Sequence, residues 1–351
     1  MFLKSRKKKR LVVCDYPSKY TFPSFGFGSA EKRIWSLAKI VSESDDFEVI
    51  IAGPLWLPKY VPKAKYFEPR LDKNSVNMFL KKFGRMDYLF AGHEYFGKKE
   101  YEETFFKVAR KLMSYQGNIY DYGKIAYDAK TKYLFCYSDE MMIKYREQKP
   151  FKVMSYHGGV NENYYLTNKP KNYLVWMGRI DTDKSPHYAI LAAEKLKMPL
   201  YILGDSKYQK DYEKKYEKIL RLPIVKRCGV VYGPPKIKFL SEALCGIYTV
   251  GPNYTEAGAG VLGEILRCGV PLVGMSWKGN DAVCEAIEDN LGRVVIAKRE
   301  MSEDEIAYKL SESVKFCIKN LDRRNIFKLA NEKYNPVKLA KKMFSIVDGK
   351  N

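Results

Sequence analysis

Short apolar runs alternate along the chain with longer segments in which apolar residues recur at helical spacing. The run LVVCDY at 11–16 is followed by segment 29–44, where Ile34 and Leu37 fall on one face of a predicted helix. Ser29, at the start of that segment, has a side chain typical of an N-cap position. The chain is therefore predicted to begin with a strand that leads into a helix.

The same alternation continues through the first half of the chain. Further strand-like runs lie at 47–53, 87–92 and 132–138, and a helical stretch is predicted around 98–115. A strand–helix–strand rhythm of this kind is typical of a mainly parallel sheet that is covered by helices. We therefore expect an α/β fold in this half.

The rhythm starts again after residue 170, which indicates a second α/β unit. Its predicted strands lie at 172–178, 199–204, 226–233, 246–252 and 271–276, and the predicted helices include 188–197, 207–220 and a terminal helix at 335–348.

A chain of 351 residues is too long for one typical core, which favours two domains. Segment 149–172 is rich in Pro, Gly and Asn, so we expect the linker there. The pattern predicts an N-terminal domain at 1–165 and a C-terminal domain at 170–334, both Rossmann-like.

The chain is strongly basic, with 62 Lys and Arg against 41 Asp and Glu and a net charge of +21. The excess is dispersed, since residues 1–165 contain 30 basic and 19 acidic side chains. Such a surface favours anionic partners such as phospholipid head groups, nucleotides or nucleic acid. A solvated, lysine-rich surface explains the charge equally well.

Other features of the composition exclude some classes of protein. No apolar run approaches the roughly 20 residues that a membrane-spanning helix needs, and the basic N-terminus lacks a signal-peptide pattern. We therefore expect a cytoplasmic protein. Seven cysteines without a CxxC pair, together with three histidines, predict buried free thiols and no structural zinc site.

Segment 253–274 has the densest candidate chemistry. Glu256 and Glu264 are eight residues apart, which at helical rise is about 12 Å, comparable with the distance from hexose to ribose in a nucleotide sugar. Gly258 and Gly260 between them allow backbone N–H groups to approach a phosphate or sugar oxygen at the start of a helix.

This segment resembles the signature of the family-four retaining glycosyltransferases, in which two glutamates enclose a glycine-rich stretch. The positions that match are Glu256, Gly258, Glu264, Gly269 and Pro271. Ala257-Gly258-Ala259 stands where the family usually has Gly-Phe-Gly, and Ile265-Leu266 where Ala-Met is usual. The resemblance implies that Glu256 contacts the donor sugar, that Glu264 binds the ribose hydroxyls, and that Gly258, Ala259 and Gly260 help to bind the donor.

A second element, at 174–190, resembles the family's V-G-R-L-x-x-x-K-G stretch. Gly178, Arg179 and Lys184 match, and Ser185 replaces the usual glycine. A departing diphosphate needs cations to stabilise its charge, and two cations on one loop can supply this without a metal. The intervening Asp-Thr-Asp at 181–183 has the letters of a metal-binding DxD motif, and we interpret it as loop surface.

Two fainter similarities lie in the first half. The loop at 24–33 resembles the family's G-G-x-E-R stretch, with Gly28, Glu31 and Arg33 at similar positions, so Gly28 is a candidate for donor binding. His93 follows strand 87–92 and resembles a family histidine that lies near the reacting sugar. The candidate catalytic residues are therefore Glu256, Arg179, Lys184 and His93.

The resemblance implies a GT-B fold, in which two Rossmann-like domains face a cleft and the final helix (335–351) returns to the first domain. It also implies retention of anomeric configuration and no cofactor or metal beyond the nucleoside-diphosphate sugar. The acceptor is expected to be a glycan or a lipid-linked glycan. The basic, apolar segment 76–86 further suggests peripheral attachment to an anionic membrane on its inner face.

Three other functions remain as alternatives. A sugar-nucleotide epimerase would share the fold, and the charge leaves open a nucleic-acid-binding or DNA-glycosylating protein. The letters Gly258-x-Gly260-x-x-Gly263 also fit a dinucleotide-binding fingerprint, but they lie late in the second domain and not at its first strand-to-helix turn.

Overall fold

A computed structural model of the chain shows two compact α/β units. One unit contains the described residues up to 152 together with 336–349, and the other runs from 163 to 335. The structure describes residues 8–26, 28–92, 99–115, 132–146, 149–152, 163–206 and 210–349.

The first unit is built on a parallel sheet of seven strands, in the order β3-β2-β1-β4-β5-β6-β7. Leu11, Val12 and Val13, in one of the inner strands, are fully buried, because helices cover both faces of a parallel sheet. The strands are β1 (Lys9–Cys14), β2 (Phe47–Ala52), β3 (Lys65–Phe67), β4 (Met86–Gly92), β5 (Ala109–Tyr115), β6 (Lys132–Cys136) and β7 (Phe151–Lys152).

The described helices of this unit connect successive strands, and one comes from the end of the chain. They are α1 (Ser29–Ser42), α2 (Val76–Phe83), α3 (Lys99–Val108), α4 (Asp139–Lys144) and the C-terminal helix α13 (Pro336–Val347), with a 3₁₀ turn at Pro58–Tyr60.

Helix α13 packs against α1 and the first strands of the sheet. The Phe344 ring lies 4.6 Å from the ring of Phe47, and the hydroxyl of Tyr88 donates to Asp348 at 2.6 Å. Asp348 also forms an ion pair with Lys9. The last helix is therefore part of the core of the first unit, although it is distant in sequence.

The second unit has a parallel sheet of six strands in the order β10-β9-β8-β11-β12-β13. This order makes β8 and β11 neighbours, and their carboxyl ends meet at one edge of the sheet. The strands are β8 (Leu174–Met177), β9 (Leu200–Leu203), β10 (Val225–Gly229), β11 (Cys245–Tyr248), β12 (Leu272–Ser276) and β13 (Gly292–Ile296).

Eight helices of the second unit lie within its described residues. They are α5 (His187–Leu196), α6 (Lys210–Lys215), α7 (Glu217–Leu220), α8 (Gly233–Glu242), α9 (Gly260–Leu266), α10 (Ala282–Ala286), α11 (Glu303–Asn320) and α12 (Arg323–Lys333).

Two local predictions are wrong. The helix expected around 98–115 ends at Val108, and residues 109–115 form the buried strand β5, because pairing with β4 and β6 overrides local propensity. Ser29 is the first residue of α1 and not its N-cap. Gly28 holds the N-cap position with φ 100°, a left-handed conformation that favours glycine.

All seven cysteines are free thiols, of which Cys228 and Cys284 are only partly buried. Within the described ranges, no helix combines the length and the apolar character needed to cross a bilayer.

Candidate active site

The centre of the candidate site is a buried cluster at the carboxyl ends of β8 and β11. Lys184 comes from the loop after β8, whereas Tyr248 ends β11 and Glu256 lies in the loop that follows it. The Lys184 ammonium donates to the Tyr248 hydroxyl at 2.6 Å and forms an ion pair with Glu256. The Tyr248 hydroxyl also donates to Glu256, so the three groups contact one another.

Neighbouring groups fix this cluster in place. The Lys184 ammonium lies 4.4 Å from the centre of the Tyr254 ring, and the backbone N–H of Gly258 donates to Glu256 Oε1 at 3.0 Å. Thr249 donates to the carbonyl of Lys184 at 2.7 Å and accepts from the indole of Trp176 at 3.0 Å. Both the backbone carbonyl and the side-chain ammonium of Lys184 are thus held by contacts with neighbouring residues.

Burial and charge together set the protonation of the cluster. Burial alone would raise the pKa of Glu256, but the attraction of Lys184 and the hydrogen bonds that the carboxylate accepts lower the pKa below its usual value. Burial would lower the pKa of Lys184, yet Glu256 raises it well above its usual value. The pKa of Tyr248 is raised, first by burial and then by Glu256. At neutral pH the cluster therefore holds an ammonium, a carboxylate and a neutral phenol.

Arg179 lies on the same loop as Lys184. Its two terminal nitrogens each lie 2.9 Å from a carboxylate oxygen, one of Asp181 and one of Asp183. Burial would lower the pKa of Arg179, but the two aspartates outweigh it and raise the pKa. The guanidinium side chain remains 37% exposed, so it can still reach a ligand.

Asp181 has a structural task in this loop. It is 1% exposed, and one of its oxygens accepts from the backbone N–H of Lys184 at 2.9 Å. The interpretation of this residue as loop surface is therefore wrong, because its carboxylate orients both predicted cations. Ser185, which replaces the family's glycine, has a left-handed φ of 41°, and its hydroxyl donates to the carbonyl of Thr182 at 2.7 Å.

Glu264 lies on α9 and is buried beside a cation from another helix. Its Oε2 is 2.9 Å from Nζ of Lys236 on α8. Helix α9 begins only at Gly260, whereas Glu256 precedes it in an irregular loop. The predicted separation of about 12 Å between Glu256 and Glu264 assumed that the whole segment is helical. Only residues 260–264 of it are in the helix, so this assumption is wrong.

The predicted glycine-rich residues differ in their surroundings. The N–H of Gly258 is used internally, since it donates to Glu256, and φ of 152° explains why glycine is favoured there. Ala259 is the N-cap of α9 and Gly260 its first residue. The N–H of Gly178 donates to Leu203 across the sheet edge at 3.1 Å. The N–H groups of Gly258 and Gly178 are thus both used within the protein and are not backbone donors to a ligand in this arrangement.

The loop at 249–259 argues against a dinucleotide-binding function of the three glycines at 258, 260 and 263. Strand β11 ends at Tyr248 and α9 starts at Gly260, so a long loop separates the strand from the helix. A dinucleotide-binding turn instead places its glycines directly between strand and helix. The three glycines therefore do not form such a turn.

The predicted residues of the first unit form a separate group. Gly28 is the N-cap of α1, and a side chain at this position would overlap Ser24. Glu31 accepts from the hydroxyl of Ser18, and the Arg33 guanidinium lies 3.7 Å from the centre of the Tyr137 ring. His93 lies outside the described residues, so its predicted role stays a prediction.

No motif in the sequence indicated Tyr248, Tyr254 or Lys236 as site residues. Tyr248 and Lys236 are buried polar side chains with charged partners, a combination that is rare without a role. The one indication in the sequence is that these polar residues occupy positions where the strand or helix pattern predicts a buried side chain. Their partners are distant in sequence, so no spacing rule identifies them.

We expect Tyr248→Phe to lower turnover by on the order of tenfold, because it removes a hydroxyl that contacts both Lys184 and Glu256. The ring stays, so the fold should be retained. Initial rates with saturating donor measure the effect. Tyr201→Phe, on strand β9 of the same sheet, is the matched control and should leave the rate unchanged. Equal rates for wild type and Tyr248→Phe would contradict the role of this hydroxyl.

Comparison with solved structures places the fold among glycosyltransferases. AviGT4, a glycosyltransferase involved in avilamycin A biosynthesis, matches with a TM-score of 0.70 at 16% identity over 97% of this chain and 98% of its own. The apo form of WaaB, a lipopolysaccharide outer core galactosyltransferase, matches with a TM-score of 0.64 at 13% identity, covering 97% of this chain and 100% of its own.

A third structure covers less of each chain. The pneumococcal O-GlcNAc transferase GtfA, solved in complex with UDP and GlcNAc, matches with a TM-score of 0.56 at 14% identity over 78% of this chain and 59% of its own. No curated protein sequence matches the chain significantly.

The two parallel-sheet α/β units therefore have the architecture of GT-B glycosyltransferases, as predicted. Residues 161–325 match the family model described as glycosyl transferases group 1. This match and the shared fold support the family of glycosyltransferases that the motifs at 174–190 and 253–274 predicted.

Proposed function

We propose that the chain is a retaining glycosyltransferase that moves a hexose-type sugar from a nucleoside-diphosphate sugar to a glycan acceptor that is lipid-linked or presented at a membrane. The observation that supports this most directly is the buried cluster of Lys184, Tyr248 and Glu256, with Arg179 beside it. It combines cations suited to a diphosphate with a carboxylate suited to a sugar hydroxyl.

In the proposed reaction, Arg179 and Lys184 hold the diphosphate as it departs. Arg179 donates from one terminal nitrogen to Asp183 and forms an ion pair with Asp181, which leaves further donors on its guanidinium for a ligand. The Lys184 ammonium already donates to Tyr248 and Glu256. A phosphate oxygen would therefore replace one of these partners when the donor binds.

Glu256 is proposed to accept a hydrogen bond from a hydroxyl of the donor sugar, which orients the ring. The bond from the anomeric carbon to the diphosphate oxygen breaks, and the bond to the acceptor oxygen forms on the same face. The acceptor hydroxyl gives its proton to the departing diphosphate oxygen. The extra negative charge on the leaving group is stabilised by the two cations, so no metal is invoked.

The choice of nucleotide is open to a direct binding screen. We propose UDP, GDP and ADP, each with its common sugar conjugates, in a thermal-shift experiment on the full chain. A true ligand at about 100 times its dissociation constant adds roughly 2.7 kcal/mol of stability. UDP is the first candidate, because GtfA of the same fold was solved with UDP and GlcNAc. If none of these ligands raises the melting temperature, the proposed donor class is wrong.

Product analysis separates the transferase from the alternatives. A transferase consumes donor in proportion to acceptor glycosylated, whereas an epimerase would release altered sugar and nucleotide without any acceptor. Salt-dependent binding to duplex DNA without binding to any nucleotide sugar would favour the nucleic-acid-binding alternative. A glycan acceptor is favoured because WaaB, of the same fold, acts on the lipopolysaccharide outer core.

The membrane part of the proposal rests on helix α2 in the first unit. Val76 and Phe79 are buried, whereas Met78 is 52% exposed and Lys81 and Lys82 are exposed beside it. An apolar side chain flanked by lysines suits the interface of an anionic leaflet. We therefore propose peripheral attachment on the cytoplasmic side of a membrane.

We expect co-sedimentation with liposomes to rise with the fraction of anionic lipid and to fall with added salt, because surface charge is screened. The variant Lys81→Glu/Lys82→Glu should bind several-fold less. Its matched control is Lys214→Glu/Lys215→Glu, which reverses the same charge on two exposed lysines of the second unit. Equal binding to neutral and anionic vesicles, or no binding, would overturn this part of the proposal.

A further inference from the structure

The second unit contains an almost fully buried lysine that belongs to none of the motifs. Lys236 lies on α8, and its side chain is 2% exposed. Its ammonium lies 2.9 Å from Oε2 of Glu264, whose side chain is 4% exposed. Two opposite charges are therefore paired inside the fold, where each alone would be costly.

A salt bridge of this kind is an inefficient way to gain stability. Desolvation of the two charges offsets most of their attraction, and well-packed apolar side chains in the same space are often at least as stable. The buried pair of Lys236 and Glu264 is therefore better explained by a role in function than by stability, and its geometry indicates which role.

The pair leaves one oxygen of the carboxylate available. Within the described part of the chain, Lys236 is the only hydrogen-bonding or ion-pairing partner of Glu264, and it contacts Oε2. Oε1 is thus not committed to any described residue. A carboxylate with one oxygen held by an ammonium keeps its charge and its orientation, while the other oxygen can accept a hydrogen bond from a ligand hydroxyl.

We propose that Lys236 is a positioning residue that prepares Glu264 to recognise the ribose of the donor nucleotide. This inference rests on the proposed function, in which Glu264 binds the ribose hydroxyls. Lys236 does not itself contact the nucleotide. It fixes the carboxylate so that Oε1 is presented to a hydroxyl without rearrangement, and this makes the site selective for ribonucleotides over their 2′-deoxy or 3′-deoxy counterparts.

The test compares nucleotides that differ by a single hydroxyl. The nucleoside diphosphate that binds best among UDP, GDP and ADP is titrated calorimetrically into the full chain, together with its 2′-deoxy and 3′-deoxy forms. Wild type should prefer the ribonucleotide to at least one deoxy form by about tenfold or more. Lys236→Met, which keeps the length of the side chain, should reduce that preference to about twofold or less while the affinity for the deoxy form stays unchanged.

A buried lysine can matter for folding alone, so the experiment includes a matched control. Lys132 in the first unit is also buried, and its ammonium pairs with Glu102 at 2.7 Å. Lys132→Met removes an equivalent pair and should leave nucleotide selectivity intact. Lys236→Arg keeps a cation beside Glu264 and should restore part of the selectivity, which provides a second variant if Lys236→Met does not fold.

The outcomes separate this inference from the proposed function. If wild type binds no nucleoside diphosphate, the proposed function fails. If wild type binds but does not distinguish ribo from deoxy forms, or if Lys236→Met keeps the full preference, the inference on Lys236 is wrong while donor binding stands. An equal loss of affinity for the ribo and deoxy forms in Lys236→Met would assign Lys236 to structure alone, and would also overturn it.

Discussion

Replacing Lys184 with methionine is expected to reduce turnover at saturating donor by a hundredfold or more. The ammonium is proposed to stabilise the charge that develops on the departing diphosphate, and loss of one such donor costs on the order of 3 kcal/mol in other enzymes. Because the contact strengthens in the transition state, the loss should appear in kcat and not only in KM. Arg179→Ala should have a similar effect, and Arg179→Lys should restore only part of the rate if the contact is bidentate.

The matched control for this pair is Lys195→Met on helix α5. Lys195 belongs to the same unit and forms an ion pair with Asp304, but it lies in the last turn of α5, outside the proposed diphosphate loop. Wild-type activity should also survive EDTA, because the proposal assigns the leaving-group charge to protein cations. Complete loss of wild-type activity in EDTA, with rescue by Mg²⁺ or Mn²⁺, would show that a metal performs this task. Normal turnover in Lys184→Met would equally contradict the assignment.

Exchanging Glu256 for glutamine is expected to abolish most turnover while sparing the affinity for free nucleoside diphosphate. Glu256 is proposed to contact the sugar, which the free nucleotide lacks. Because the glutamine no longer attracts the Lys184 ammonium as an anion does, diphosphate affinity should stay the same or rise. Glu264→Gln should show the opposite pattern, with weaker binding of the free nucleotide, since the ribose is present in it. Calorimetry with the nucleoside diphosphate alone, followed by initial rates, measures both.

Glutamine is preferred to alanine in this experiment because of what the structure shows around Glu256. Glu256→Ala would leave the Lys184 ammonium buried without its anionic partner, which typically destabilises a protein by about 3–5 kcal/mol. Loss of activity would then report unfolding as well as chemistry. Thermal denaturation of each variant distinguishes the two. Equal loss of nucleotide affinity in Glu256→Gln and Glu264→Gln would show that the two glutamates do not divide sugar and ribose as proposed.

The strongest local patterns in the sequence predicted the fold well. Apolar runs such as 11–16 and 47–53 became buried parallel strands, since burial on both faces demands continuous apolar sequence. Residues 109–115 are a segment where the local pattern predicted the wrong element. Their sequence, ARKLMSY, contains helix-forming residues, and only hydrogen bonding to strands on both sides makes them a strand.

In the candidate site, too, some residues could be predicted from local sequence and others could not. Glu256, Glu264, Arg179 and Lys184 were predicted from short motifs, because each motif lies within one strand-to-helix segment of the chain. Tyr248 and Lys236 were not predicted, although Tyr248 contacts both Lys184 and Glu256, and Lys236 contacts Glu264. Asp181 was misinterpreted as loop surface, since its burial depends on how the loop folds over the edge of the sheet.

The sequence by itself determined the alternation of strands and helices, the existence of two α/β units and the residue types available for a nucleotide-sugar site. Periodicity and motif spacing act over a few residues, so they can be read without the fold. Only the tertiary structure placed β8 beside β11 and so joined Lys184 to Glu256 across 72 positions of sequence. It also buried Lys236 against Glu264. Such pairings follow from strand order and helix packing, in which residues distant in sequence exclude water together, and no local pattern specifies them.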